Sequence, residues 1–306
     1  MKTEYYLPDV VLTNDALSEL YPEWSPEKIL LKTGIRQRHV TGAGEDALDL
    51  AERACRKLFG LEEVDPELIG FIILCTQSAR YRLPSTACLL QDRLGIPKSV
   101  GALDYDLGCS GFVYGLAMAK GLVRAGVVSN VLLVTSETYT KYIGEMDKST
   151  RTIFGDGAAA TLIDAEAAGR IGEFSFGTDG SGAEKLILRE GESLFMDGPE
   201  IFNFTLDVVP KTIDDVCAKN GIVRDDIDLF VFHQANKFML DTIRKVNGLP
   251  KDEFYINLED TGNTVSSTIP IALKRAQDEG RIRPGMKVMV MGFGVGLSWG
   301  GTILQY

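Results

Sequence analysis

Two stretches of this chain repeat one another in order. The run IGFIILCTQSA (69–79) returns as IDLFVFHQAN (227–236), and ALDYDLGCSGFVYGLAMAKGLVRAG (102–126) is paralleled by YINLEDTGNTVSSTIPIALKRAQDEG (255–280). VLLVTSE (131–137) has its counterpart in VMVMGFG (288–294), and FGDGAAATLI (154–163) in SWGGTIL (298–304). A repeat of roughly a hundred residues or more is too long for a solenoid and points to two duplicated α/β halves, 1–168 and 169–306. Continuous apolar runs such as IGFIILC mark strands buried on both faces of a parallel sheet. Right-handed crossovers then place the polar turns at the carboxyl ends of the strands, which gathers Cys109, His233 and Asn263 onto one rim.

Cys109 precedes a helix that is apolar or small from Phe112 to Ala119, with no charge before Lys120. Such a helix runs through the interior of a large core. At a buried helix start the free N–H groups and the dipole favour a thiolate, and Gly108 admits close backbone approach. These conditions suit a nucleophile, and equally a cysteine that only packs. The decision falls to its partners. Of the chain's two histidines, His233 is delivered by the buried run FVF to the turn HQAN, whereas His39 sits in the polar RQRHVTG. His233 is therefore the candidate general acid, base or hydrogen-bond donor. Asn263 occupies in the second copy the place that Cys109 has in the first. Its ordinary role there is to cap the following helix; facing Cys109, its amide could instead donate to a substrate oxygen. GFGVG (292–296) resembles a dinucleotide loop, but the LSWGGTILQY that follows reads as strand rather than helix. The turn is assigned instead to an oxyanion hole with Cys109, near Gly294.

Other elements follow from local pattern. We expect a helix at 199–219, a strand in FYINL, Pro84 opening the helix PSTACLLQDRLG, and a helix cap at Asn14 or Asp15. The five cysteines are scattered without a CxxC pair, so neither a metal site nor a disulfide framework is expected. A net charge of −11 argues against a general binder of nucleic acid or anionic membrane. The start MKTEYYLPD lacks the layout of a signal peptide, and no run approaches the ~18 apolar residues of a membrane span. The expectation is a reducing, cytoplasmic setting.

At these residues the chain resembles β-ketoacyl-acyl-carrier-protein synthase III, a member of the thiolase-like condensing enzymes. The matching pieces are VLTN, KTGIRQRH, LPSTAC, DLGCSGFVYGL, FGDGAAA, HQAN, GNTVSST, GRIRPG and GFGVGLSWG, spread over nearly the whole length. The resemblance implies an α/β, duplicated αβαβα five-layer fold in a homodimer, with the triad Cys109, His233 and Asn263. It implies acyl transfer from acyl-CoA to Cys109, then decarboxylative condensation with malonyl carried on acyl carrier protein, with no metal and no cofactor beyond these substrates. His233 and Asn263 would donate hydrogen bonds to the enolate oxygen. Lys28, Lys32 and Lys148 align with the family's CoA-binding Trp and Arg residues, which removes a stacked contact at Lys28 and keeps positive charge. Leu83 and Phe293 are further substrate-binding candidates, Leu83 in SARYRLPST, the segment that in the family reaches the partner's acyl pocket. The helix after HQAN carries Lys237, Arg244 and Lys245, either a carrier-docking surface or an ordinary solvated face.

Three other readings share these residues. In the same fold, the Cys109 acyl group could pass to a non-malonyl acceptor in a specialised pathway. Cys, His and Asn also compose a thiol-hydrolase triad, against which stand the duplication and the buried apolar helix behind Cys109. A catalytically dead scaffold is the last, and it would be expected to have lost triad residues, which this chain retains.

Overall fold

The computed structural model describes residues 1–62 and 64–306. Its first sheet has the strand order Lys2–Tyr6, Gly157–Asp164, Asn130–Glu137, Phe71–Cys75, Gly101–Tyr105. The second has the order Ser175–Thr178, Ser298–Gln305, Lys287–Gly294, Leu229–Phe232. The two orders coincide, and the fifth place of the second sheet is held by a single parallel bridge from Phe230 to Phe254. Strands of the first sheet all lie before residue 168 and those of the second all after it, with helix Ala165–Arg170 across the division.

Between the sheets lie the helices Gly111–Arg124 and Thr268–Asp278. Phe112, Val113, Leu116 and Ala119 of one, and Ile269, Ala272, Leu273 and Ala276 of the other, share one buried cluster with strand residues of both sheets. This is why the Cys109 helix is apolar nearly all round: both its faces meet sheet. Outside the first sheet pack Ala47–Phe59 and Thr86–Leu94, and outside the second Gly198–Asn220 and Lys237–Val246. Five layers result, helix, sheet, helix, sheet, helix, as the thiolase-like resemblance implies.

Several local expectations are corrected. FYINL makes no strand, because only its start pairs with the sheet. Phe230 N–H donates to Glu253 O and Tyr255 N–H to Phe230 O, after which Asn257 N–H turns to the Gln234 side chain at 2.8 Å. Pro84 lies ahead of the helix Thr86–Leu94, whose N-cap is Ser85. Thr13, rather than Asn14 or Asp15, caps Asn14–Leu20. Asn14 is instead buried, receiving the Arg38 guanidinium at 2.8 Å.

Candidate active site

The three residues expected on one rim line one cavity of about 100 Å³, together with Phe154, Leu186, Ile201, Met239, Phe293 and Gly294. Each arrives by its own element. Cys109 stands two residues before helix Gly111–Arg124, whose N-cap is Ser110. The strand Lys287–Gly294 crosses directly over it: a Cβ on Gly292 would lie 2.6 Å from Cys109 O, and one on Gly294 would lie 2.9 Å from Cys109 Cβ and 3.0 Å from Sγ. Gly292 lets backbone touch backbone, and Gly294 leaves room for the Cys109 side chain.

His233 follows the strand Leu229–Phe232, is buried, and stands edge-on to Phe293 with ring centroids 5.7 Å apart. Its Nδ1 lies 2.7 Å from Thr268 Oγ1, and its Nε2 lies 3.5 Å from Asn263 Nδ2. Two nitrogens from different elements therefore address one point in the cavity. Burial holds the imidazole neutral, with its pKa pushed down to about 3.

Asn263 is not the N-cap of the following helix; that position belongs to Ser267. Its backbone is pinned across to the first half, with N–H donating to Ile153 O at 2.9 Å and O accepting from Gly155 N–H at 3.0 Å. Its Oδ1 accepts Val265 N–H at 2.9 Å, which leaves Nδ2 to face His233. Val265 has φ 56°, a left-handed conformation that a β-branched residue adopts only under tertiary constraint.

Two expectations about Cys109 change. Burial and the nearby Glu137 carboxyl push its thiol up to about 12, so the resting group is a thiol despite its helix. The backbone N–H groups of Cys109 and Val295 oppose that rise. It is thus Val295 N–H that faces the sulfur, whereas Gly294 serves by lacking a Cβ. The sequence spacing pointed to this turn but could not choose among its N–H groups.

The other candidates divide. Lys28 and Lys32 Nζ each lie 5.5 Å from the centre of the Trp24 ring, and Lys148 Nζ lies 6.0 Å from it. An aromatic face thus stands beside Lys28 after all, on Trp24 just ahead of helix Pro26–Thr33. Lys148 also pairs with Glu23 at 2.5 Å, and Lys28 donates to Glu23 O at 2.9 Å. Leu83 projects outward, 84% exposed, away from its own chain's cavity. Lys237 pairs with Asp241, and Lys245 is exposed. Arg244, half-buried, donates to Leu249 O at 3.2 Å beyond the end of its own helix and keeps its charge.

Comparison with known proteins bears on the family. Residues 103–180 match the family described as 3-oxoacyl-[acyl-carrier-protein] synthase III, and residues 217–306 its C-terminal part. A β-ketoacyl-[acyl-carrier-protein] synthase III of Methylococcus capsulatus is 35% identical over 98% of this chain and 96% of its own. A crystal structure of a 3-oxoacyl-(acyl-carrier-protein) synthase III superposes with a TM-score of 0.97 at 48% identity, covering 99% of this chain and 98% of that one. The Thermus thermophilus β-ketoacyl-[acyl carrier protein] synthase III gives 0.92 at 36% identity, with 99% and 98% covered. With matching sequence, matching sheets and Cys109, His233 and Asn263 converging in one cavity, the chain belongs to the 3-oxoacyl-[acyl-carrier-protein] synthase III family of acyl-transferring condensing enzymes.

Proposed function

We propose that this chain transfers an acyl group from acyl-CoA to Cys109 and then condenses it, with loss of carbon dioxide, onto malonyl-acyl carrier protein. The observation that carries the reading is the meeting of His233 Nε2 and Asn263 Nδ2 beside a buried cysteine faced by two backbone N–H groups. Cys109 gives up its proton as its sulfur attacks the thioester, and that proton passes to the departing CoA sulfur. The N–H groups of Cys109 and Val295 stabilise the tetrahedral oxyanion. CoA leaves with the proton. Malonyl then loses carbon dioxide, and the enolate oxygen takes hydrogen bonds from Asn263 Nδ2 and from His233 Nε2 in its protonated tautomer. That tautomer requires the Thr268 hydroxyl to donate to Nδ1. The enolate carbon attacks the acyl carbonyl, the bond to sulfur breaks, and Cys109 leaves as a thiolate that takes a proton from solvent to regain the resting thiol. Written this way, the reaction draws on no metal and no redox cofactor.

Trp24 with Lys28, Lys32 and Lys148 is the proposed site for the CoA nucleotide, a ring face amid cations. Lys237, Arg244 and Lys245 are proposed to meet the acidic carrier protein. The functional unit is proposed to be a homodimer: Gly101–Tyr105 is an uncovered sheet edge with Leu103 38% exposed, and the outward Leu83 would enter the partner's cavity. Among the described residues no helix is long and apolar enough to cross a membrane. The five cysteines are free thiols, in keeping with a reducing cytoplasm.

Incubation with acyl-CoA, alone and with malonyl-acyl carrier protein, tests the reading by intact mass and product analysis. An acyl mass on Cys109, followed by carbon dioxide and a ketoacyl carrier protein, is expected. Acyl transfer to water alone would overturn the reading.

A further inference from the structure

One buried acid has no part in the reaction as written. Glu137 ends the strand Asn130–Glu137 with its side chain fully buried, and no ion pair reaches it among the described residues. Its carboxyl is held by hydroxyls and backbone only. Ser78 Oγ donates to it at 2.7 Å and Ser266 Oγ at 2.9 Å, and Gln77 N–H reaches both oxygens at 3.1 and 3.3 Å. Ser78 Oγ itself accepts Thr138 N–H at 3.0 Å, which directs its proton to Glu137.

The duplication gives this contact its meaning. In the repeat, Glu137 corresponds to Gly294 and Thr135 to Gly292. Gly292 and Gly294 lie on Cys109 and Ser110, at the helix start of the first half. Correspondingly, Glu137 and Thr135 lie on Ser266 and Ser267, at the helix start of the second half, Thr135 Oγ1 being 2.9 Å from Ser267 Oγ. Each half's strand end thus fixes the other half's helix entrance. The entrance that Glu137 fixes runs from Asn263 to Thr268, both in contact with His233. It contains Val265 at φ 56°, which would relax if its flanks were released.

We propose that Glu137 is a positioning residue for the condensation half-reaction, its carboxyl clamping Ser266 and so holding Asn263 and the His233–Thr268 pair in register with Cys109. The inference rests on the condensing reaction proposed above. Its chemistry is consistent with the surroundings. The titratable groups whose charge couples to Glu137 are Asp106, Cys75, Cys109, Tyr105, Tyr139 and Tyr142, none of them basic. Burial raises its carboxyl to about 8, so it is neutral below that pH and ionised above it. An anion there opposes the negative charge of both the thiolate and the enolate.

The test separates the half-reactions in Ser266→Ala, Glu137→Gln and Glu137→Leu. Ser266→Ala cuts the clamp, together with the Ser266 contact to Cys75, and is expected to slow condensation about tenfold while acylation of Cys109 changes less than about threefold. Glu137→Gln keeps acceptors for Ser78 and Gln77 N–H and offers N–H to Ser266, so it should retain more condensation at pH 7 than Glu137→Leu. It should also lack the native decline in condensation rate as pH rises through about 8. Equal loss of acylation and condensation in Ser266→Ala would overturn the proposal, as would an alkaline decline preserved in Glu137→Gln. Native enzyme that acylates but never condenses would instead refute the reaction beneath it, a result distinguishable from either.

Discussion

Burial raises the Cys109 thiol to about 12 and lowers the His233 imidazole to about 3, so both groups rest uncharged in one cavity. The sign for Cys109 is simple: with its pKa raised, the thiol is uncharged at neutral pH, and the thiolate fraction climbs about tenfold per pH unit below that pKa. Alkylation of the resting enzyme by iodoacetamide, followed by peptide mass, should therefore rise about tenfold from pH 7 to 8 and again to pH 9. A rate already level between pH 6 and 8 would show that the helix dipole outweighs burial. Thr268 poses the complementary question. Its single hydroxyl proton can go to Val265 O, 3.0 Å away, or to His233 Nδ1 at 2.7 Å, and the choice sets which ring nitrogen carries the proton. Thr268→Val keeps the shape and removes the hydroxyl. Condensation should fall about tenfold or more, as for one weakened oxyanion donor, and Thr268→Ser should restore most of it. Steady-state kinetics with pre-acylated enzyme would read this directly, and an unimpaired Val variant would remove Thr268 from the account.

At the scale of elements, the strand Lys287–Gly294 and the turn ahead of helix Pro26–Thr33 carry the clearest consequences. Adding a methyl at Gly294 sets it 3.0 Å from Sγ, and the sulfur or the strand must shift. A displacement approaching an ångström costs on the order of 10²-fold in rate, so Gly294→Ala should lose most acylation with little loss of fold, as judged by circular dichroism and thermal melting. In the turn, Glu23 holds Lys148 at 2.5 Å and competes for the cation beside Trp24. Glu23→Gln should lower KM for the CoA donor and steepen its salt dependence, since exposed charge is screened by salt; Trp24→Ala should raise KM. These elements also show what sequence made legible. Apolar runs such as FIIL and FVF, each ending in a polar turn, announced the strands, and FVF delivered His233 to the carboxyl end of its own. Trp24 escaped because it stands ahead of the helix rather than at Lys28. Glu137 escaped because a lone acid after VLLVTS reads as a polar strand end until the partner serines are folded onto it. The choice of Val295 over Gly294 depends on how a hairpin crosses Cys109, which no spacing encodes.

For the whole molecule, the decisive feature is that the first sheet stops at an open strand. Gly101–Tyr105 bonds to Phe71–Cys75 on one side only, and Leu103 on it is 38% exposed. Edges of this kind invite pairing with another chain, and natural proteins blunt them unless pairing is their purpose. The adjoining loop presents Leu83, 84% exposed, beside Arg82 and Tyr81, also exposed. Opposite in character is a cavity of about 310 Å³ lined by Gln77, Asp106, Tyr139, Leu186 and Leu194, which shares Leu186 with the Cys109 cavity. It offers apolar walls for a leucine and a carboxylate for an arginine. A second copy of the chain, joined edge to edge, would bring such a loop to this cavity and complete the wall beside the acyl group. Leu103→Lys places a charge on the pairing edge and should shift the protein to monomer in analytical ultracentrifugation, with loss of turnover that high protein concentration partly restores. Leu83→Ala should leave the dimer intact and alter the preferred acyl length instead. If Leu103→Lys is monomeric and fully active, the edge is not part of the catalytic unit, and Leu83 has no substrate to touch.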